Sequence, residues 1–138
     1  GIDVTLLVDN AAAHLMSQGR INCIVTGADR IARSGDAANK IGTSALALLA
    51  RHYKIPFYIA APLSTFDPAL ETGDDIEIEE RGREEITSFA GGPATAPSGI
   101  KCCNPAFDVT PAELITALIT DKGIAQPVNK STVAELLE

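Results

Sequence analysis

The sequence lacks several features that point to common ligands and compartments. Its 138 residues include no Trp, and only 4% are aromatic, so the core must be built from aliphatic side chains, as in many parallel α/β sheets. Neither a G-x-G-x-x-G sequence nor a Walker A sequence is present, which disfavours dinucleotide-binding and P-loop proteins. No apolar run is long enough to span a membrane. The length itself is that of one globular domain.

The chain has only three cysteines, and their spacing fits no known disulfide or metal-binding motif. Cys23, Cys102 and Cys103 form no C-x-x-C pair, so we expect neither a disulfide framework nor a zinc site, and no metal or cofactor. Cys23 lies in an apolar run and is predicted to pack as a small hydrophobic side chain. Because no signal peptide is visible either, the cytoplasm is the expected compartment.

Positive charge is also scarce, with 11 basic residues against 18 acidic ones and a net charge of −7. Such a protein is a poor nucleic-acid binder, because phosphate neutralisation requires clustered Lys and Arg. Eight of the acidic residues fall between positions 71 and 85, a density typical of solvated surface. We therefore expect no nucleic-acid partner and no membrane partner.

The order of apolar runs predicts alternating strands and helices. Strands are predicted at residues 5–8, at residues 21–26 and in "FYIAA", with a short helix, "AAAHLMSQG", between the first two. A long helix is predicted over residues 37–52, with Asp36 as its N-cap. This β–α–β–α–β order predicts an α/β fold with a Rossmann-like parallel sheet flanked by helices.

The second half begins with a long irregular insertion, residues 62–99, before the last predicted strand and helix. Within it, "IEIEE" alternates like an edge strand. "FDV" is predicted to be the last short strand, followed by a helix in "TPAELITALITDKG". A further helix is predicted in "STVAELLE", with Ser131 as its cap.

Polar residues follow the strand predicted at residues 21–26, where parallel sheets bind ligands beyond the carboxyl ends of their strands. Gly27 lets the backbone approach a ligand closely, and Asp29 then projects from this edge as a candidate general acid or base. Asn39 and Lys40 are predicted in the first turn of the next helix, whose N-terminus attracts anions. The spacing predicts a site for a small polar ligand. From spacing alone, Asp29 also fits a turn residue and Lys40 also fits exposed helix surface.

Four stretches closely resemble the methylthioribose-1-phosphate isomerase family: "GADRIARSGDAANKIGTSALALLA", "IPFYIAAPLSTFD", "IEIEERGREEI" and "NPAFDVTPAELITALITDKG". The family belongs to a superfamily that also contains the α, β and δ subunits of eukaryotic initiation factor 2B and ribose-1,5-bisphosphate isomerase. The resemblance runs through almost the whole chain, from "GIDVTLLVDN" to "KGI". It implies that residues 1–138 are the Rossmann-like C-terminal domain of such an isomerase.

The resemblance implies an aldose–ketose isomerase that converts methylthioribose 1-phosphate to methylthioribulose 1-phosphate in methionine salvage. It gives Asp29 the catalytic role, as proton donor and acceptor, and gives substrate binding to Asn39 and Lys40. The implied partners are a small sugar phosphate and further copies of the chain in a homo-oligomer. The family also uses a catalytic cysteine and phosphate-binding residues on segments that would precede Gly1. We therefore expect an incomplete, inactive part of the enzyme that needs its missing N-terminal region.

Two other functions stay open from the sequence. A regulatory initiation-factor-type subunit would bind a nucleotide or a sugar phosphate without catalysis; the presence of both Asp29 and Lys40 favours the isomerase over it. Ribose-1,5-bisphosphate isomerase is the sister activity, and the segment "APLSTFD" disfavours it.

Overall fold

A computed structural model describes all 138 residues of the chain, as seven strands and four α-helices joined by loops and short 3₁₀ turns. The strands are β1 (Ile24–Thr26), β2 (Arg30–Ile31), β3 (Ala37–Lys40), β4 (Phe57–Ala60), β5 (Phe107–Thr110), β6 (Ala117–Ile119) and β7 (Ile124–Ala125). The helices are α1 (Ala12–Ser17), α2 (Thr43–Tyr53), α3 (Glu84–Thr87) and α4 (Lys130–Leu137).

The strands form two sheets. The larger sheet has the order β1–β4–β6–β7, in which β1, β4 and β6 are parallel and β7 returns antiparallel to β6. The smaller sheet has the order β2–β3–β5 and is antiparallel throughout. The parallel sheet flanked by helices confirms the predicted α/β fold, whereas the antiparallel sheet was not predicted.

One apolar core joins the two sheets to the helices. Phe57 and Ile59 of β4 and Leu118 of β6 are fully buried at its centre, and each such side chain stabilises the fold by about 1.5–3 kcal/mol. Ala47 of α2 is buried in the same cluster, and its small side chain lets the helix lie close to the sheet. Ile31 of β2 belongs to this cluster as well, so the smaller sheet is anchored to the larger one.

The long helix predicted over residues 37–52 is wrong in its first part. Residues Ala37–Lys40 form β3, and α2 begins only at Thr43. Gly42 separates the two elements with a φ of 102°, a left-handed conformation that glycine adopts without strain. The strand forms because β3 pairs with β5, a partner some 70 residues away that a local pattern does not reveal.

The helix predicted in "TPAELITALITDKG" is also wrong. Only Ala112–Leu114 are helical, as a single 3₁₀ turn, and the chain then forms β6, a tight turn and β7. Thr116 enters the sheet by donating its N–H to the Phe57 carbonyl (2.7 Å) and accepting the Phe57 N–H at its hydroxyl (3.0 Å). Pairing with β4 therefore prevails over the capping pattern at "TPAE".

The strands predicted at residues 5–8 and in "IEIEE" do not form. Residues 1–8 make no ladder, and their apolar side chains are exposed, Leu6 to 95%. "IEIEE" contributes a single bridge, from Glu80 to Pro105. Cys23, predicted to be packed inside, is exposed. A strand needs a hydrogen-bonded neighbour along its length; residues 1–8 have none, and "IEIEE" is paired only at this bridge.

The remaining element predictions are confirmed. The first helix ends before Gly19, which has a φ of 67°, and "FYIAA" contains β4. "FDV" lies in β5, although two more strands follow it. "STVAELLE" lies in α4, but Asn129 caps that helix rather than Ser131, because its side chain accepts two backbone N–H groups. None of the helices combines the length and the apolar character needed to cross a membrane.

Candidate functional site

Asp29 lies just beyond β1, at the edge where the parallel strands end. Its backbone N–H donates to the Ala38 carbonyl at 2.8 Å, which fixes this turn against β3. The residue is exposed, and its carboxylate takes part in none of the ion pairs of the chain. The carboxylate is therefore positioned by its backbone and free at its oxygens.

A cleft of about 330 Å³ lies in front of Asp29. Three carboxylates line it, those of Asp29, Glu77 and Glu79, against one cation, Arg30. The Arg30 guanidinium lies 3.5 Å from the Asp67 carboxylate, which partly neutralises the positive charge of Arg30. The Glu79 carboxylate lies 3.6 Å from the Arg81 guanidinium, which partly neutralises the negative charge of Glu79. The cleft therefore suits hydroxyl groups and repels a phosphate. Its other lining residues are Ala38, Ile76, Ile78 and Phe107.

Glu77 and Glu79 line the candidate site, and the sequence interpretation missed them. They belong to the acidic run that was assigned to solvated surface. The signal was present in "IEIEE", where Ile76 is buried and Ile78 half-buried, so the alternate glutamates emerge together beside the cleft. The alternation was interpreted as an edge strand, whereas it forms a loop wall.

Lys40 and Asn39 are on β3, and the structure does not bring them into the cleft with Asp29. Lys40 lines a second cavity, of about 570 Å³, between α1 and α2. Asn39 lines neither space, because successive residues of a strand point to opposite faces. Ala38 of the Asp29 cleft and Lys40 are two strand residues apart, about 7 Å at the backbone.

The turn from β3 to α2 is fixed by a network of hydrogen bonds. The Thr43 hydroxyl donates to the Lys40 carbonyl (2.7 Å) and accepts the Asn39 side-chain N–H (3.1 Å). The Asp108 carboxylate accepts the N–H groups of Gly42 (2.7 Å) and Ser44 (3.0 Å). Asp108 lies in the quoted motif "NPAFDVTP" but was not singled out, because its partners are more than 60 residues away.

This arrangement corrects the predicted anion site at the start of the helix. The first turn of α2 directs its free N–H groups at a carboxylate of the protein itself, which already complements the positive end of the helix. A ligand at this turn must therefore be held by the side chains of Asn39 and Lys40. The Asn39 side-chain carbonyl accepts no hydrogen bond within the chain, so it is free for a ligand hydroxyl.

Asp36 does not cap a helix but ties three segments together. Its carboxylate accepts hydrogen bonds from the Ser34 hydroxyl (2.7 Å) and from the N–H groups of Gly73 (2.9 Å) and Ala112 (2.8 Å). Partial burial raises the pKa of Asp36, but these hydrogen bonds outweigh it and lower the pKa below its ordinary value. Gly73 is needed for the close approach, because a Cβ there would lie 2.6 Å from Val109 Cγ1.

The cysteines are exposed thiols rather than parts of the cleft. The negative charge of Glu80, with a hydrogen bond to it, raises the pKa of Cys103, which makes this thiol a weaker nucleophile at neutral pH. No group of three or more His, Cys, Asp or Glu side chains is placed to hold a metal ion. Within the Asp29 cleft the acid–base groups are the carboxylates of Asp29, Glu77 and Glu79.

Fold and cleft together define an α/β domain with a free carboxylate at the carboxyl edge of its parallel strands. Comparison with known proteins places this domain more narrowly. Residues 1–127 match the initiation factor 2 subunit family (IF-2B), and the chain belongs to that family.

Individual relatives include both enzymes and initiation factors. The methylthioribose-1-phosphate isomerase of Pelotomaculum thermopropionicum is 54% identical over 138 residues, which are 100% of this chain and 38% of that protein. The solved 5-methylthioribose 1-phosphate isomerase from Pyrococcus horikoshii OT3 superposes with a TM-score of 0.93 at 50% identity, covering 99% of this chain and 38% of that one. The solved translation initiation factor eIF-2B subunit delta from A. fulgidus superposes with a TM-score of 0.90 at 46% identity. The match covers 99% of this chain and 39% of that one. The chain therefore spans about two fifths of these proteins.

Proposed function

We propose that this chain is the C-terminal, proton-transferring domain of an aldose–ketose isomerase that acts on methylthioribose 1-phosphate. The observation that carries the proposal is the Asp29 carboxylate, which is held by its backbone in an open cleft and free of any ion pair. The names of the isomerase relatives, at 50–54% identity, supply the substrate class.

The chemistry requires one group that both accepts and donates a proton. In the aldose 1-phosphate the bond between C1 and the ring oxygen breaks, and the ring oxygen gains a proton. The C2 hydroxyl loses its proton as C2 becomes a carbonyl, and the hydrogen on C2 moves to the electron-deficient C1 with its bonding electron pair, so the reaction is balanced without a co-reactant. Asp29 gives a proton to the ring oxygen as the C1–O bond breaks and takes one from the C2 hydroxyl, as general acid and then general base.

Lys40 and Asn39 are proposed to bind the part of the substrate that extends beyond the Asp29 cleft. The Lys40 ammonium forms no ion pair within the chain, so it is available to a substrate oxygen or to the phosphate. Asn39 offers its free side-chain carbonyl to a hydroxyl. The acidic cleft accommodates the sugar hydroxyls, and the C1 phosphate, which is next to the reacting atoms, is directed out of the cleft and away from Glu77 and Glu79.

The proposed enzyme needs residues beyond this chain, because the one cation that lines the acidic cleft, Arg30, is already paired with Asp67 and cannot neutralise a phosphate dianion. Two surfaces support docking of a further region of the same protein or of a second copy. The strand β1 pairs only with β4, so its other edge is free, and Val25 on it is 58% exposed. The N-terminal segment is apolar yet exposed, with Ile2 at 92% and Leu6 at 95%.

A second candidate function is favoured by one observation, the 46% identity to the solved eIF-2B subunit delta. In this case the chain binds a nucleotide or sugar phosphate as a regulatory subunit and Asp29 transfers no proton. Binding of the ligand without turnover by an intact, folded protein distinguishes this function from the isomerase.

The test is a chimera in which residues 1–138 replace the matching 38% of the Pelotomaculum thermopropionicum relative. We expect the chimera to isomerise methylthioribose 1-phosphate in a coupled assay, and the chain alone to show no turnover. A chimera that folds like its active parent but lacks turnover contradicts the isomerase proposal. Substantial turnover by the chain alone contradicts the need for further residues.

A further inference from the structure

The turn that presents Asn39 and Lys40 is held from outside its own segment. Within the turn, Gly42 is the N-cap of α2 but has no side chain to cap it. The acceptor comes instead from Asp108 on β5, whose two carboxylate oxygens each accept one backbone N–H, from Gly42 and from Ser44. β5 is also the strand that pairs Asp108 with Asn39 in register. Asp108 thus connects β3, which carries the candidate substrate-binding residues Asn39 and Lys40, to α2, the helix that follows it.

We infer that Asp108 is a positioning residue of the candidate site. It fixes the turn that presents Asn39 and Lys40, and it keeps the N-terminus of α2 closed to an anionic ligand. The effect on substrate rests on the proposed function, whereas the effect on the turn does not.

The geometry separates this role from that of an ordinary helix cap. The Thr43 hydroxyl, which orients the Asn39 side chain and the Lys40 carbonyl, lies between the two N–H groups that Asp108 accepts. Loss of the Asp108 side chain leaves the N–H groups of Gly42 and Ser44 without an acceptor, so the segment that contains Thr43 is no longer fixed. The released N–H groups then compete with Lys40 for an anion. Asn39 and Lys40 are therefore displaced together.

A matched control exists elsewhere in the chain. Asn129 caps α4 in the same way, by accepting the N–H groups of Ser131 and Thr132 (2.9 and 3.1 Å). It lines neither the Asp29 cleft nor the Lys40 cavity. Asn129→Ala thus removes a helix cap of the same kind without touching the turn. Both Asp108→Ala and Asn129→Ala are expected to lower the Tm.

The first measurement is made on the 138-residue chain itself. In ¹H–¹⁵N spectra, Asp108→Ala is expected to shift the side-chain amide signals of Asn39 and the backbone signal of Ile41, and Asn129→Ala to leave them in place. Unchanged Asn39 signals in a folded Asp108→Ala protein overturn the inference. This result is independent of catalysis, so it stands even where the chimera proves inactive and the proposed function fails.

The second measurement uses the chimera, where Lys40→Met sets the scale. Loss of a charge-assisted hydrogen bond is expected to raise the KM for methylthioribose 1-phosphate about ten- to 150-fold in Lys40→Met, and Asp108→Ala is expected to raise it at least about tenfold. In the double variant the KM should rise by less than the product of the two single effects, because part of the Asp108 effect acts through Lys40. Asp108→Asn, which keeps one acceptor oxygen, should give an intermediate KM. An unchanged KM, or effects that multiply in the double variant, overturns the inference.

Discussion

Asp29 and Asp36 lie on either side of β2, and the protein uses them in opposite ways. The Asp36 carboxylate accepts three hydrogen bonds, from Ser34, Gly73 and Ala112, which join three distant segments. The Asp29 carboxylate faces an open cleft, and only the backbone of Asp29 is fixed, by Ala38. An aspartate whose oxygens are all occupied stabilises the fold, whereas one with free oxygens on a fixed backbone is available for proton transfer.

The most direct test of the contrast between Asp29 and Asp36 is the variant Asp29→Asn in the chimera. The amide has the same shape but does not transfer a proton at neutral pH, so we expect kcat to fall about 10²–10⁴-fold. Because the side chain has no partner in the fold, the free energy of unfolding should change by less than about 0.5 kcal/mol. Coupled kinetics and urea denaturation measure the two effects.

Asp74→Asn is the control for this variant, since it removes the same charge from an exposed aspartate that does not line the cleft. It should leave kcat within about twofold. A kcat for Asp29→Asn that is equally unaffected shows that Asp29 is a turn residue, as its spacing alone also allows.

The other half of the comparison is tested by Asp36→Ala in the 138-residue chain. Three hydrogen bonds to a charged group are lost, and two backbone N–H groups lose their acceptor, so the free energy of unfolding should fall by about 3 kcal/mol. Asp121→Ala is the control. The Asp121 carboxylate accepts the N–H of Leu63 at 2.8 Å, and we expect its loss to cost about 1 kcal/mol. Equal losses of the free energy of unfolding in the two variants would contradict the proposal that Asp36 stabilises the fold more than an ordinary hydrogen-bonded aspartate.

The sequence predicts one half of this comparison and misses the other for a physical reason. Asp29 follows a buried strand, and a local pattern is enough to place it at the carboxyl edge of a parallel sheet. Asp36 was assigned to the start of a helix, because its true partners, Gly73 and Ala112, are 37 and 76 residues away in the chain. Side-chain partners at such separations leave no periodic signal.

The same distinction explains the rest of the fold. Elements defined by local signals, such as α1 ending before Gly19 and β4 in "FYIAA", are predicted from the sequence. Elements that exist only through a distant neighbour are not: β3 needs β5, and β6 needs β4. In the candidate site, the position of Asp29 is predicted from the strand that precedes it. The positions of Glu77, Glu79 and Asp108 depend on how a loop and a distant strand pack against β3, which the local sequence does not show.

The smallest expected effect is the pH dependence that Asp36 gives to stability. Its hydrogen bonds lower its pKa in the folded state below the ordinary value of 3.8, so the folded state holds the proton less tightly than the unfolded state. The stabilisation is therefore complete above about pH 5 and is lost as the pH falls through 3.8 towards the folded-state pKa. In Asp36→Asn this contribution is absent, and we expect a loss of about 1 kcal/mol at neutral pH. Urea denaturation of both proteins between pH 7 and pH 3 measures the difference, in which the titration of the other carboxylates cancels. The difference should be constant down to about pH 5 and then narrow. A difference that stays constant to pH 3, or widens, shows that the ionised Asp36 carboxylate is not what holds the three segments together.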